Sequence, residues 1–407
     1  MKKRTATLLI ILLIVLIGGG IYWYFTLTGQ SEERGEREGQ DFNLPSFEED
    51  MVGQGGDGGM EGDESEGFTF SAGVAPYQRL ANNVAGAVTL DDSEATSSIR
   101  LIRRDSGHVY EAFIRDEIIR LTNTTIPRVQ EVKFSPDGEN LILQYLDEAR
   151  ENFRTYLGSL VENTEGEEDQ TPFRISGSFL PNDIVAYDFS PDNAELFYIR
   201  TTTTGSEGII YSLLNDTSEI IFTSEVSKWD VDWIANATIA LQTKSSGVAE
   251  GYLYFLSTSG TLSRVLGEHN GLTTLVHPSL DTIFYSDSRG TITSYVYNQG
   301  ERETTQLSIK TLAEKCVWST EEENILFCAV PQTLSGGTYP DVWYRGDISF
   351  NDSFWRINTA TGREERIASP SDFEEDPVDA VDLQLIEEDE FLIFRNKKDG
   401  SLWSLRL

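Results

Sequence analysis

Beyond about residue 73, apolar and polar positions alternate in short runs broken by turn residues, a period of two that reads as strand after strand. The clearest stretches are VQEVKFSPDGENLILQYL at 129–146 and IVAYDFSPDNAELFYIR at 184–200. Each reads as a strand, a tight turn and a second strand. Ser135-Pro136-Asp137-Gly138 puts proline second and glycine fourth, the order a type I turn prefers. Ser190-Pro191-Asp192-Asn193 replaces the glycine with asparagine, which also tolerates the left-handed conformation.

Weaker copies stand at 84–104, 228–243, 273–287, 313–330 and 380–396. The last apolar residue before each turn is Val88, Phe134, Phe189, Trp233, Val276, Trp318 and Leu385, at spacings of 46, 55, 44, 43, 42 and 67 residues. A repeat of about 40–45 residues built only from strand signals is what β-propeller blades require. The two long spacings hold insertions at 161–171 and 331–352. A third alternating strand and a short fourth follow each hairpin. We therefore expect an all-β, seven-bladed β-propeller over 73–407, monomeric, with the weak first copy leaving six or eight blades open. The last repeat stops after its third strand, and a spare strand, Tyr77-Gln78-Arg79-Leu80, precedes the first. Pairing it with the segment from Ser401 to Leu407 would close the ring and remove an exposed edge.

The amino-terminal pattern is different. Residues 6–25 are uncharged and apolar, and 20 residues of helix span about 30 Å, one bilayer core. Lys2-Lys3-Arg4 precede the run, and Tyr22-Trp23-Tyr24-Phe25 would sit at the far headgroups. Gly18-Gly19-Gly20 is followed at once by bulky aromatics, and no A-x-A site appears, so an uncleaved anchor is expected over 1–30. The amino terminus would then be cytoplasmic and the propeller extracytoplasmic. Residues 31–72 are glycine-rich and acidic, and the expectation is a disordered tether of about 35 Å end to end.

Charge changes the picture in one respect. The net charge is −35, of which −11 falls in 31–67 (13 acids against Arg34 and Arg37). The folded part is therefore acidic too, which argues against nucleic acid as a partner. The two cysteines, Cys316 and Cys328, fall on neighbouring predicted strands. Two small buried thiols are the simpler reading, and a disulfide across the strands is open.

The turns Phe134-Ser135-Pro136-Asp137-Gly138 and, with Asn193 in place of glycine, Phe189-Ser190-Pro191-Asp192 resemble those of the TolB-type WD-like repeat propellers. The resemblance covers 73–407 in architecture, and two of the seven copies carry the motif. It implies the propeller fold. The motif is a structural turn in that family, so it assigns no functional residue. Relatives of this type include periplasmic partner-binding modules and the propeller gates of serine peptidases.

Candidate chemistry is sparse. His108, His269 and His277 fall on different repeats with no paired spacing. There is no G-x-S-x-G elbow, no phosphate loop with lysine and no D-x-D-x-D-G calcium loop. No catalytic, cofactor-binding or metal-ligating residue is assigned, and no cofactor is expected. The one departure from blade grammar is the insertion at 331–352. It carries Tyr339, Trp343, Tyr344, Arg345 and Phe350, residue types enriched at binding hot spots. These form the candidate partner-binding surface, with packing over the rim as the competing reading. The functional expectation is a membrane-anchored extracytoplasmic propeller that binds or scaffolds an envelope protein or polymer, not an enzyme. The alternative is a hydrolase or lyase centred in the channel.

Overall fold

Each of the seven marker residues falls on the first strand of a four-stranded antiparallel sheet. Those strands are Val84–Leu90, Val129–Phe134, Ile184–Phe189, Trp229–Ala235, Thr273–Val276, Cys316–Trp318 and Ala380–Ile386. The computed structural model describes residues 75–91, 97–147, 152–163 and 171–407. Within them the chain is a seven-bladed propeller, with blades 1 to 7 numbered by those first strands. The expected span at 6–25 and the tether at 31–72 lie outside the described residues, as do residues 164–170 of the smaller insertion. Among the described residues no helix is long and apolar enough to cross a membrane.

The ring closes as the spare strand suggested. Tyr77–Ala81 pairs antiparallel with Leu402–Arg406, placing Tyr77 opposite Leu405 and Arg79 opposite Trp403. Blade 7 is thus built from both ends of the domain, and the Tyr77 ring packs 4.9 Å from Trp403 and 5.1 Å from Phe373.

Apolar content falls from the inner to the outer strands because only the inner ones are covered on both faces. Leu141, Ile142 and Leu143, consecutive on the second strand of blade 2, are all fully buried. Glu303–Gln306, the outermost strand of blade 5, is exposed throughout. The core lies between neighbouring blades. Phe197 and Ile199 of blade 3 meet Trp229, Trp233 and Ile239 of blade 4, with Phe197 edge-on to Trp233.

The hairpin turns bear out their chemistry. Gly138 and Asn193 both have positive φ, +68° and +61°. Asn193 adds a contact that glycine cannot make, because its Oδ1 accepts the Asp137 N–H of the preceding blade at 3.0 Å. The acidic run at 387–390 is a turn that also joins two blades. Asp389 accepts hydrogen bonds from the Thr320 hydroxyl at 2.7 Å and the Thr320 N–H at 3.1 Å. Cys316 and Cys328 stand directly opposite in the ladder, and they form a disulfide with Cα atoms 4.1 Å apart. The reading as free thiols gives way because the register puts both side chains on one face.

Candidate functional site

First strands surround the propeller axis, and alternate residues of a strand share a face. Glu131 and Lys133 of blade 2, Asp230 and Asp232 of blade 4 and Asp382 of blade 7 therefore come to the axis, joined by Glu314 just before the first strand of blade 6. Glu131, Asp232 and Glu314 are open to solvent, yet protein encloses them, as side chains lining a narrow channel would be.

Asp188 is the fixed point of this lining. It accepts the N–H groups of Phe189 and of Trp233 on the next blade, both at 2.8 Å, and pairs with Lys133 Nζ at 2.7 Å. Enclosure raises the Asp232 carboxyl, the Asp188 charge raises it further, and Lys133 opposes both. Enclosure and the Asp382 charge raise Glu131. The Glu314 carboxyl is pushed up to about 7, first by enclosure, while the Tyr344 hydroxyl bonded to it pulls the other way. Lys244 Nζ bonds Asp230 at 2.7 Å and sits 4.9 Å from the centre of the Tyr344 ring.

The insertion at 331–352 forms one rim of this channel. It leaves the second strand of blade 6, Ile325–Pro331, and returns as the third, Asp352–Asn358. Between them lies a helical turn, Asp341–Tyr344. Asp341 reaches blade 4, accepting from the Ser246 hydroxyl at 2.9 Å and the Gly247 N–H at 2.7 Å. A Cβ on Gly247 would lie 2.3 Å from the Tyr339 carbonyl oxygen, so glycine is what lets the insertion seat there. Trp343, Phe350 and Tyr339 stack in sequence with ring centres 5.8 and 5.9 Å apart. They pack on Ile292, Leu312 and Val381, so the insertion bridges blades 4 to 7.

The five sequence candidates therefore separate. Tyr339, Trp343 and Phe350 are buried at 2–3 % exposure and hold the insertion down. Tyr344 is half-buried at the channel mouth, and Arg345 is exposed, paired with Asp347 at 2.8 Å. Sequence reading did not find the channel carboxylates. The available signal was charge at alternate positions inside otherwise apolar first strands, VQEVKF and WDVDW.

The histidines stay apart from this site. His108 contacts Thr125 and Arg120 in blade 1, His269 contacts Asp287, and His277 packs edge-on against Trp318 at 5.0 Å. Burial and the Arg120 charge lower His108 to about 4. Among the described residues, no group of three or more histidine, cysteine or carboxylate side chains is placed to hold a metal ion. A separate groove of about 460 Å³ lies between blades 5 and 6, lined by Ser308, Gln332, Leu334, Trp355 and Glu364.

No family model matches the chain, and no curated protein matches it. Solved structures do. Tricorn protease superposes with a TM-score of 0.52 at 9 % identity, over 83 % of this chain and 34 % of its own. Oligogalacturonate lyase in complex with manganese gives 0.48 at 13 % identity, over 84 % and 96 %. A putative TolB from Agrobacterium tumefaciens gives 0.37 at 13 % identity, over 54 % and 79 %. The chain spans about a third of the tricorn protease's length. At 9 % identity the tricorn likeness shows architecture alone: the chain is a seven-bladed β-propeller.

Proposed function

We propose that this chain is a binding or scaffold module, anchored through residues 6–25 with its propeller outside the cytoplasm. Its partner is an envelope protein or polymer. The observation that carries the reading is the ordered insertion at the channel mouth. Three buried aromatics fix it in place, and it presents Tyr344 and Arg345 beside a charged channel. A rigid loop with an aromatic and an arginine at its accessible edge anchors a partner at low entropic cost. The partner would meet Tyr344, Arg345 and the channel-mouth groups Asp230, Lys244 and Glu314.

The test compares capture of envelope material by the full chain and by Tyr344→Ala with Arg345→Glu. The reading expects capture to fall at least about tenfold, the loss of one hot spot, while the unfolding midpoint barely moves. Unchanged capture by the double variant removes the insertion from the interface.

One observation favours a channel-centred hydrolase or lyase instead. Asp232 is raised and lies beside the fixed Asp188 and Lys133, and a raised carboxyl with a second carboxyl and a lysine next to it is a layout that acid–base chemistry uses. Turnover of an envelope polysaccharide or peptide that disappears in Asp232→Asn would establish that reading and displace the first.

A further inference from the structure

Lys315 lies at the junction of blades 6 and 7 with no exposed side-chain surface, and Asp352 beside it has none either. Lys315 Nζ meets Asp379 Oδ1 at 2.7 Å, Asp352 Oδ2 at 2.9 Å and the Ala380 carbonyl at 2.7 Å. The other oxygen of Asp379, Oδ2, accepts two N–H groups, the Trp343 indole at 2.9 Å and the Phe350 backbone at 3.0 Å. Asp352 Oδ2 accepts the Ala380 N–H at 2.7 Å, and its Oδ1 has no hydrogen-bond partner among the described residues. The Trp343 and Phe350 ring centres each lie 5.3 Å from Nζ and wall the site.

A structural ion triad does not need all of these features. It needs opposite charges, but here two carboxylates face one ammonium with no exposed side-chain surface on any of the three, a costly arrangement. The parts also match those of acyl transfer. A lysine nitrogen touches one carboxyl oxygen, two N–H donors hold the other, and a second carboxyl with a free oxygen stands on the same nitrogen. We propose that Lys315 and Asp379 condense to an isopeptide bond, with Asp352 as the catalytic proton carrier.

The step balances within the site. The Lys315 ammonium gives one proton to Asp379 Oδ1, leaving an amine and a carboxylic acid. The amine lone pair attacks Asp379 Cγ, forming the C–N bond, and the C=O electron pair moves onto Oδ2. Trp343 Nε1–H and the Phe350 N–H stabilise that developing oxyanion. Asp352 takes a second proton from the nitrogen and passes it to the Oδ1 hydroxyl. The Cγ–Oδ1 bond breaks, its electron pair leaves with water, and Oδ2 re-forms the carbonyl. No oxidant or co-reactant is required. Burial raises the Asp352 carboxyl even against Lys315, which suits a group that must hold and release a proton. The driving force is desolvation. An ammonium and a carboxylate become a neutral amide, and the released water gains freedom. The product ties residues 64 apart, the start of blade 6 to the start of blade 7, and encloses the whole insertion within one loop.

The test is a tryptic peptide map of the full-length chain, extracted in detergent and reduced. The proposal expects the peptide carrying Lys315 joined to the one carrying Asp379, at their combined mass less one water, with no cleavage after Lys315. Recovery of the two peptides only as separate species overturns it, and the site is then a buried ion triad. Asp379→Asn should give the same joined pair less one ammonia, because the amide nitrogen then leaves instead of the oxygen. Asp352→Ala keeps both reacting groups and should slow joining at least about 100-fold, the usual loss of a general acid–base. Joining at an unchanged rate in that variant overturns the role given to Asp352.

Discussion

Trp343 and Asp379 are joined across the boundary between the insertion and blade 7, the indole N–H donating to Oδ2 at 2.9 Å. One face of the same indole carries Lys397 Nζ, 3.8 Å from the ring centre. Trp343 is thus a bolt with an apolar body and one polar pin. Trp343→Ala should lower stability by about 3–5 kcal/mol, the range for truncating a buried aromatic. Trp343→Phe keeps most of the packing and removes the pin, for about 1–3 kcal/mol. Arg345→Ala, two residues on but exposed, should stay within about 0.5 kcal/mol. Denaturant unfolding of the three variants reads all these values. An unmoved midpoint in Trp343→Ala would mean that the insertion is not seated as described.

Ring closure makes a second prediction. Among the described residues, Tyr77–Ala81 is the one strand supplied to blade 7 from the amino-terminal side. Deleting it bares the Leu402–Arg406 edge and strips Tyr77 from Trp403 and Phe373. The domain should unfold at a clearly lower temperature and self-associate through the open edge. Calorimetry with sedimentation measures both, and a deletion that is monomeric with an unchanged midpoint would contradict the closure.

These two predictions mark where sequence reading succeeds and where it stops. The blades were legible because the hairpin turns carry their chemistry locally. Proline at 136 and 191, and the left-handed residues at 138 and 193, fix the turn whatever surrounds it. The closing strand was legible because one repeat lacked its fourth strand and a spare one stood at the other end. The fate of the aromatics at 339–350 was not legible. Whether Trp343 faces solvent or Asp379 depends on how a loop from blade 6 lies on blades 4 and 7, and no local pattern encodes that contact. The channel site failed for the same reason. Asp188, Lys133 and Trp233 come from three different blades, and only the folded ring brings them together.

The disulfide yields a third prediction. Cys316 and Cys328 are 12 residues apart, and closing a loop of that size constrains the unfolded chain by about 3 kcal/mol in the chain-entropy treatment. Cys316→Ala with Cys328→Ala should lose roughly that much. The native chain, denatured without reductant, should show no reactive thiol, because these are its only two cysteines. Two titratable thiols under those conditions would refute the bond.

Glu314 links the channel to pH. Its carboxyl is pushed from 4.5 up to about 7, chiefly by enclosure and then by Asp230, against the pull of Tyr344, Lys244 and Lys397. Between those values the folded chain keeps a proton that the unfolded chain releases. The unfolded state then binds fewer protons, so stability falls as pH rises through this window. Asp232, raised by enclosure and Asp188, acts in the same direction. Glu314 is open to solvent, which screens the effect, so the slope rather than the absolute stability is the quantity to read. Glu314→Gln has no such proton to lose. It should match the parent chain near pH 4, where Glu314 is already neutral, and exceed it near pH 8, where the parent must hold a charge in an enclosed site. Denaturant midpoints taken across that range decide the matter. Diverging curves place the raised carboxyl at Glu314, whereas parallel curves would mean that the channel hydrates Glu314 well enough to leave its titration ordinary.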